Sequence, residues 1–318
     1  MLPETTGQVD DVSMTVQPGV FALGTTEHGY LEFELRPGAD ARSAISAAAA
    51  VARELSTTAG VNVVVGVRPS LWRAVANEDE VPAGAEDWRE DLVGPDGFTM
   101  PATQHDLWCW IAGGTLTAVF DTGRFAVQTL ARLCELRRET TGWLYRNDRD
   151  LTGFIDGTEN PSLIEAPDVV GVPEGRPGAG STVVLHQLWR HDSTRWESQP
   201  VEAQERAMGR RKSDSTELAE DEMPADAHVA RTSLEVDGEE LPIFRRNVAY
   251  GGITDHGTVF VGFSRDQWRL AEMLRRMAGS TDGVRCALTR FVIPLTGAYY
   301  VVPSVEALGR VAAEDPPG

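Results

Sequence analysis

The sequence predicts an α+β fold built from two ferredoxin-like units, each β-α-β-β-α-β, with their antiparallel sheets packed together. Three observations carry this. Some segments alternate apolar and acidic residues, the period of a half-buried strand. Others place apolar residues at the 3.6 period of an amphipathic helix. The two kinds follow one another in the same order twice along 318 residues.

In the first half, residues 30–35 (YLEFEL) read as a half-buried strand. Pro37, Gly38 and Asp40 break it, and the Ala-rich run 41–55 is a good helix former that ends near Gly60. Residues 61–67 (VNVVVGV) are β-branched and read as a strand buried on both faces. After a Pro/Gly/acidic stretch, residues 107–111 form another strand, residues 121–138 an amphipathic helix, and residues 142–145 close the unit.

The second half repeats this more loosely. Strands are expected at 182–189, 243–248, 258–263 and 288–294, with helices at 201–210 and 267–277. In the last helix Leu270, Met273, Leu274 and Met277 share one face. The units are expected to span 1–150 and 151–318, joined near 146–152, with the chain from Glu306 onward loosely attached. Residues 161–180 and 210–227 are long loops, the kind that in a compact protein usually serve function.

Bulk composition narrows the function. A net charge of −19 argues against nucleic acid, because a phosphate backbone requires Lys and Arg patches. No apolar run of 18 residues exists, and residues 1–18 lack the basic-then-apolar order of a Sec-type leader, so no membrane span or such leader is expected. Cys109, Cys134 and Cys286 form neither a CxxC pattern nor a disulfide framework, which fits a reducing, cytoplasmic setting. Cys109 lies in an apolar segment and reads as a small buried hydrophobe.

Three places carry chemistry. In LTGFIDGTENP (151–161), Asp156 stands between an apolar pair and Gly157, as a carboxylate presented at a tight turn or as an ordinary solvated Asp-Gly turn. No two of the six histidines show the i, i+4 spacing of a helical metal site, so a multi-histidine zinc site is not expected. His228, in MPADAHVAR (223–231), is by itself either structural or a lone ligand. In FRRNVAYG (244–251), Arg245, Arg246 and Asn247 interrupt an apolar strand. One of the two arginines should be buried there, and a buried cation needs an anionic partner.

Together these segments resemble the dye-decolourising peroxidase family, in its compact bacterial B-type. The resemblance rests on GFIDGTENP (153–161), GRRKSDSTEL (209–218), the His228 segment, FRRNVAYG (244–251) and TGAYYVVPS (296–304), and it spans most of residues 28–305. It implies one haem b per chain, held in the C-terminal half. His228 would be the axial iron ligand, Arg210 would contact a propionate, and Gly157, Thr158 and Glu159 would line the cofactor. Asp156 and Arg245 would act on bound hydrogen peroxide, Asn247 would sit beside them holding a water, and Arg246 would point outward. Dyes, phenolics or other bulky one-electron donors would be oxidised through a ferryl intermediate, with activity peaking at acidic pH.

The family places a carboxylate behind the axial histidine to strengthen it as a donor. Here residues 284–290 read VRCALTR with no acid, and Asp282 is out of register. The eight tryptophans and the Tyr299–Tyr300 pair are expected as core residues before relays. Glu159, Glu217 and Glu240 are expected as solvated carboxylates before a manganese patch. A haem carrier or dechelatase on the same framework is the alternative function, and it would need His228 but not Asp156 with Arg245. A homo-oligomer is expected. Encapsulation in an encapsulin shell is not favoured, since residues 306–318 show no Leu/Gly/Ile anchor repeat.

Overall fold

The computed structural model describes residues 14–55, 60–146 and 149–314. The first half folds as β1 (Glu27–Leu35), α1 (Ala41–Leu55), β2 (Val61–Val67), β3 (Leu107–Gly113), α2 (Leu116–Leu130) and β4 (Cys134–Trp143). The second half adds β5 (Thr182–His191), α3 (Val201–Met208), the one-turn α4 (His228–Thr232), β6 (Phe244–Arg245), β7 (Val248–Gly251), β8 (His256–Ser264), α5 (Gln267–Ala278), β9 (Val292–Pro294), β10 (Ala298–Val302) and α6 (Val305–Glu314).

The strands of the first half lie in the order β4-β1-β3-β2, and those of the second in the order β10-β5-β8-β7, all antiparallel. Both orders are fourth-first-third-second, the signature of β-α-β-β-α-β grammar. The sheets are also joined at both edges. Ala249 pairs with Trp143 on one side and Val301 with Val67 on the other, so eight strands form a closed ring. At the first junction Gly142 is required: a Cβ there would come within 2.5 Å of Val248 Cγ2.

The ring has an inside. Tyr30, Val64, Trp108 and Trp110 from one sheet and Val184, Val261, Phe263 and Tyr300 from the other form one buried cluster. The opposite faces pack under helices, as Leu31 and Phe33 do. Strand β1 is therefore buried on both faces, and Glu32 is 1% exposed instead of solvated. Its carboxylate accepts from Arg138 Nη1 at 2.9 Å and from the Tyr300 hydroxyl at 2.8 Å, the pairing a buried charge needs.

Several boundaries differ from the sequence expectation. The second long helix is Leu116–Leu130, and residues 134–138, expected in it, begin β4. Thr115 caps that helix by accepting from the Ala118 N–H, a start signal ahead of the apolar period. The final sheet strand is Ala298–Val302, because Ala287–Arg290 turns as a 3₁₀ helix and only Val292–Pro294 of the expected strand pairs. The loop 161–180 contains a short helix, Ala166–Val170.

The C-terminal segment is not loose. Helix α6 buries Ala307, Leu308 and Val311, and its Arg310 pairs with Glu80. The leader reading of residues 1–13, part of the expected join at 147–148, and the last four residues of the anchor reading lie outside the described residues. No helix among the described residues is long and apolar enough to cross a membrane.

Candidate active site

A cavity with about 1060 Å³ of atom-free space, part of it open to solvent, lies on the outer face of the second sheet. Strand period places Gln187, Trp189 and His191 of β5 on this face, beside Thr258 and Phe260 of β8. Helix α5 supplies Met273, Leu274 and Met277, the apolar stripe visible in the sequence. Leu288 and Val292 complete an apolar wall.

His228 lines this cavity at the start of α4. Burial, then the charges of Arg245 and Arg210, push its pKa down to about 4, so the ring is neutral and its nitrogens are available as donors to a metal. Nδ1 lies 3.5 Å from Cys286 Sγ, and no other hydrogen bond to the ring is made among the described residues.

Asp156, Gly157, Thr158, Glu159, Arg210, Arg245 and Asn247 line the same cavity, so all eight residues singled out in the sequence come together. Asp156 sits on a turn whose reversal depends on Gly157 at φ 74°, where an L side chain is strained. Its Oδ1 accepts from the Gly157 N–H at 2.7 Å. A second opening, lined by Leu23, His28, Tyr145, Asp156, Arg245 and Asn247 among others, reaches this polar side from the junction of the sheets.

Arg245 ends β6, paired with Gly262, and Asn247 Oδ1 accepts from the Val261 N–H at 3.2 Å. Arg246, expected to point outward, does the reverse. It is 8% exposed, donates to the carbonyls of Val20 at 2.9 Å and Ala22 at 2.6 Å, and lies over the Trp110 ring at 4.9 Å. The buried cation of the pair is thus satisfied by carbonyl dipoles and an aromatic face, not by an anion.

Arg210 is buried and engaged. It donates to the Ser215 carbonyl at 2.8 Å, to Glu159 at 2.7 Å and to Glu217 at 2.6 Å. Glu159, Glu217 and Glu240 line a side opening, but no group of three or more potential metal ligands occurs among the described residues.

Sequence reasoning missed five participants. Asp150, Gln187 and His191 line the cavity, and Asn160 holds the Arg245 backbone. Cys286 faces His228 from a 58-residue separation that no local pattern reveals. Asp150 is a half-buried carboxyl, pushed up to about 6 by desolvation, opposed by Thr152 hydrogen bonds and helped by the nearby Asp156 charge. Asp282, the out-of-register acid, forms a two-pronged pair with Arg231 at 2.8 and 2.9 Å and does not contact His228.

Comparison with known proteins identifies the family. The family described as Dyp-type peroxidase, C-terminal, matches residues 147–307. The chain is 36% identical over 232 residues to the dye-decolorizing peroxidase of Mycolicibacterium paratuberculosis, covering 71% of this chain and 64% of that protein. It is 34% identical over 263 residues to that of Rhodococcus erythropolis, covering 81% and 75%. A DypB variant of Rhodococcus jostii RHA1 in complex with heme superposes with a TM-score of 0.80 at 30% identity, covering 89% of this chain and 94% of that one. The chain belongs to the Dyp-type peroxidase family.

Proposed function

We propose that this chain is a haem b peroxidase that reduces hydrogen peroxide to two waters while oxidising two equivalents of a one-electron donor, such as a dye or phenol. The observation that carries this is one cavity shared by a neutral, half-buried imidazole and the Asp156, Arg245, Asn247 group.

The residues fit a haem. Its flat apolar body suits the wall of Met273, Leu274, Met277 and Leu288, and its iron needs one protein nitrogen, which His228 Nε2 would supply. Arg210 would meet a propionate by exchanging one of its glutamate partners, and Gly157, Thr158 and Glu159 would border the rim. Bound haem supplies the redox-active iron at which the O–O bond of peroxide breaks.

The protein residues handle the proton and the charge. The Asp156 carboxylate takes the proton from the inner peroxide oxygen and returns it to the outer one, general base and then acid. The fixed Arg245 guanidinium stabilises negative charge growing on the leaving oxygen. Asn247 holds a water in the same pocket. A carboxylate shuttle of this kind favours acidic working conditions, and a peroxide reaction equally fast from about pH 4 to 8 would contradict it.

The repeated strand order supports a first unit at 1–150 and a haem-holding unit at 151–318. The carrier or dechelatase alternative has no separate observation behind it. The test is stopped-flow mixing of haem-loaded protein with peroxide for the parent, Asp156→Ala and Arg245→Ala. Each variant should bind haem and react on the order of 10²–10³ more slowly. Full-speed reaction in both variants, or no Soret band in the haem-supplemented parent, would overturn the proposal.

A further inference from the structure

We infer that the Cys286 thiol is the positioning residue behind His228, where it anchors the ring through Nδ1 and leaves it a weak donor toward haem iron. The inference rests on His228 being the residue that would supply the iron's protein nitrogen, as proposed above.

The contact is built, not incidental. Cys286 is fully buried, its N–H donates to the Met277 carbonyl at 2.9 Å, and its carbonyl accepts from both the N–H and the hydroxyl of Thr289. The next N–H, of Ala287, donates to the Asp226 carbonyl at 2.7 Å, which ties this turn to the segment entering α4. Sγ is thereby held 3.5 Å from His228 Nδ1.

The anions that would otherwise serve are committed elsewhere. Asp282 is bound by Arg231, and Asp226 by Arg290 at 3.0 Å. A metal-bound histidine usually gives its second N–H to a carboxylate, carbonyl or water, which raises its basicity and fixes its orientation. Thiol sulfur is only a weak acceptor. It can orient the ring by contact while lending it little charge, so the ferrous state of the iron is disfavoured less than it would be with a carboxylate there.

The test uses haem-loaded protein as parent, Cys286→Ala and Cys286→Asp. Two quantities are read: the iron–histidine stretching band of the ferrous form by resonance Raman, and the ferric–ferrous equilibrium by spectroelectrochemistry. Cys286→Asp should shift the equilibrium toward ferric at least fivefold, on a scale of 59 mV per tenfold for one electron. Cys286→Ala should move or broaden the stretching band, because the ring loses its anchor. A smaller shift in the first, or a band unchanged in position and width in the second, overturns the inference. If Cys286→Asp fails to fold, the Cys286→Ala band decides alone. His228→Gly separates this from the reading beneath it: a parent-like spectrum in that variant, unaltered by added imidazole, would remove His228 as ligand whatever Cys286 does.

Discussion

Asn160 grips the backbone of Arg245 from both sides, its Oδ1 accepting from the Arg245 N–H at 2.8 Å and its Nδ2 donating to the Arg245 carbonyl at 2.9 Å. The turn that presents Asp156 is thereby tied to the strand that presents Arg245. Their relative position follows from a third residue.

Asn160→Ala should therefore slow the peroxide reaction of haem-loaded protein about 10- to 100-fold, the usual cost of a small misplacement, while haem occupancy is kept. Stopped-flow rates at matched Soret absorbance measure this. Parent-like rates would mean that Arg245 is held by other contacts.

The adjacent arginines should separate stability from activity. Arg246→Leu strands the Val20 and Ala22 carbonyls and removes the contact with Trp110, a loss of about 2–4 kcal/mol in urea unfolding. Arg245→Leu should change stability by only about 0.5 kcal/mol and act on the peroxide rate instead. Equal stability losses in the two variants would contradict the assignment of burial to Arg246.

Asp150 gives a pH dependence with a definite sign. Its carboxyl is raised from 3.8 to about 6, chiefly by burial, so the folded chain holds this proton more tightly than the unfolded one. Its contribution is most favourable below pH 3.8 and is lost as pH rises through 6. Asp150→Asn, which mimics the neutral acid, should match the parent near pH 4 and exceed it near pH 7 by on the order of 2 kcal/mol. Chemical denaturation of both proteins at the two pH values checks this, and a gap that narrows with rising pH would refute it.

Glu32 runs the other way. Burial alone would raise its pKa, but His186, Arg138 and Tyr300 outweigh burial and bring it down to about 2. The stabilisation is present above the unfolded value of about 4.5 and is lost as pH falls through 2. Tyr300→Phe removes one hydrogen bond to this charge and should cost about 1.5–3 kcal/mol at pH 7, with the cost shrinking at the acid end. A cost independent of pH would show that the hydroxyl serves packing and not the carboxylate.

What the sequence by itself determined is local or repeated. The 2.0 and 3.6 periods announce most strands and helices, and the doubled order announces the architecture. Asp156, Arg245 and Asn247 stand out because polar residues interrupt apolar segments, whereas Arg210, Gly157, Thr158, Glu159 and the ligand role of His228 were legible only through the family resemblance. Where a local signal was ambiguous, the boundary moved, as at residues 134–138, which carry a helical period but pair with β1. Only the tertiary structure decided which side of a strand is wet. The alternation in YLEFEL implies a solvated Glu32, yet closing the ring puts that face inside a second core. The same closure turned Arg246 inward and left Arg245 at the cavity. The packing of the long loops set Cys286 against His228 and tied Asn160 to Arg245, contacts between residues 58 and 85 apart in the chain. Periodicity reports which residues share a face. Which face is buried, and against what, depends on how distant segments close upon one another.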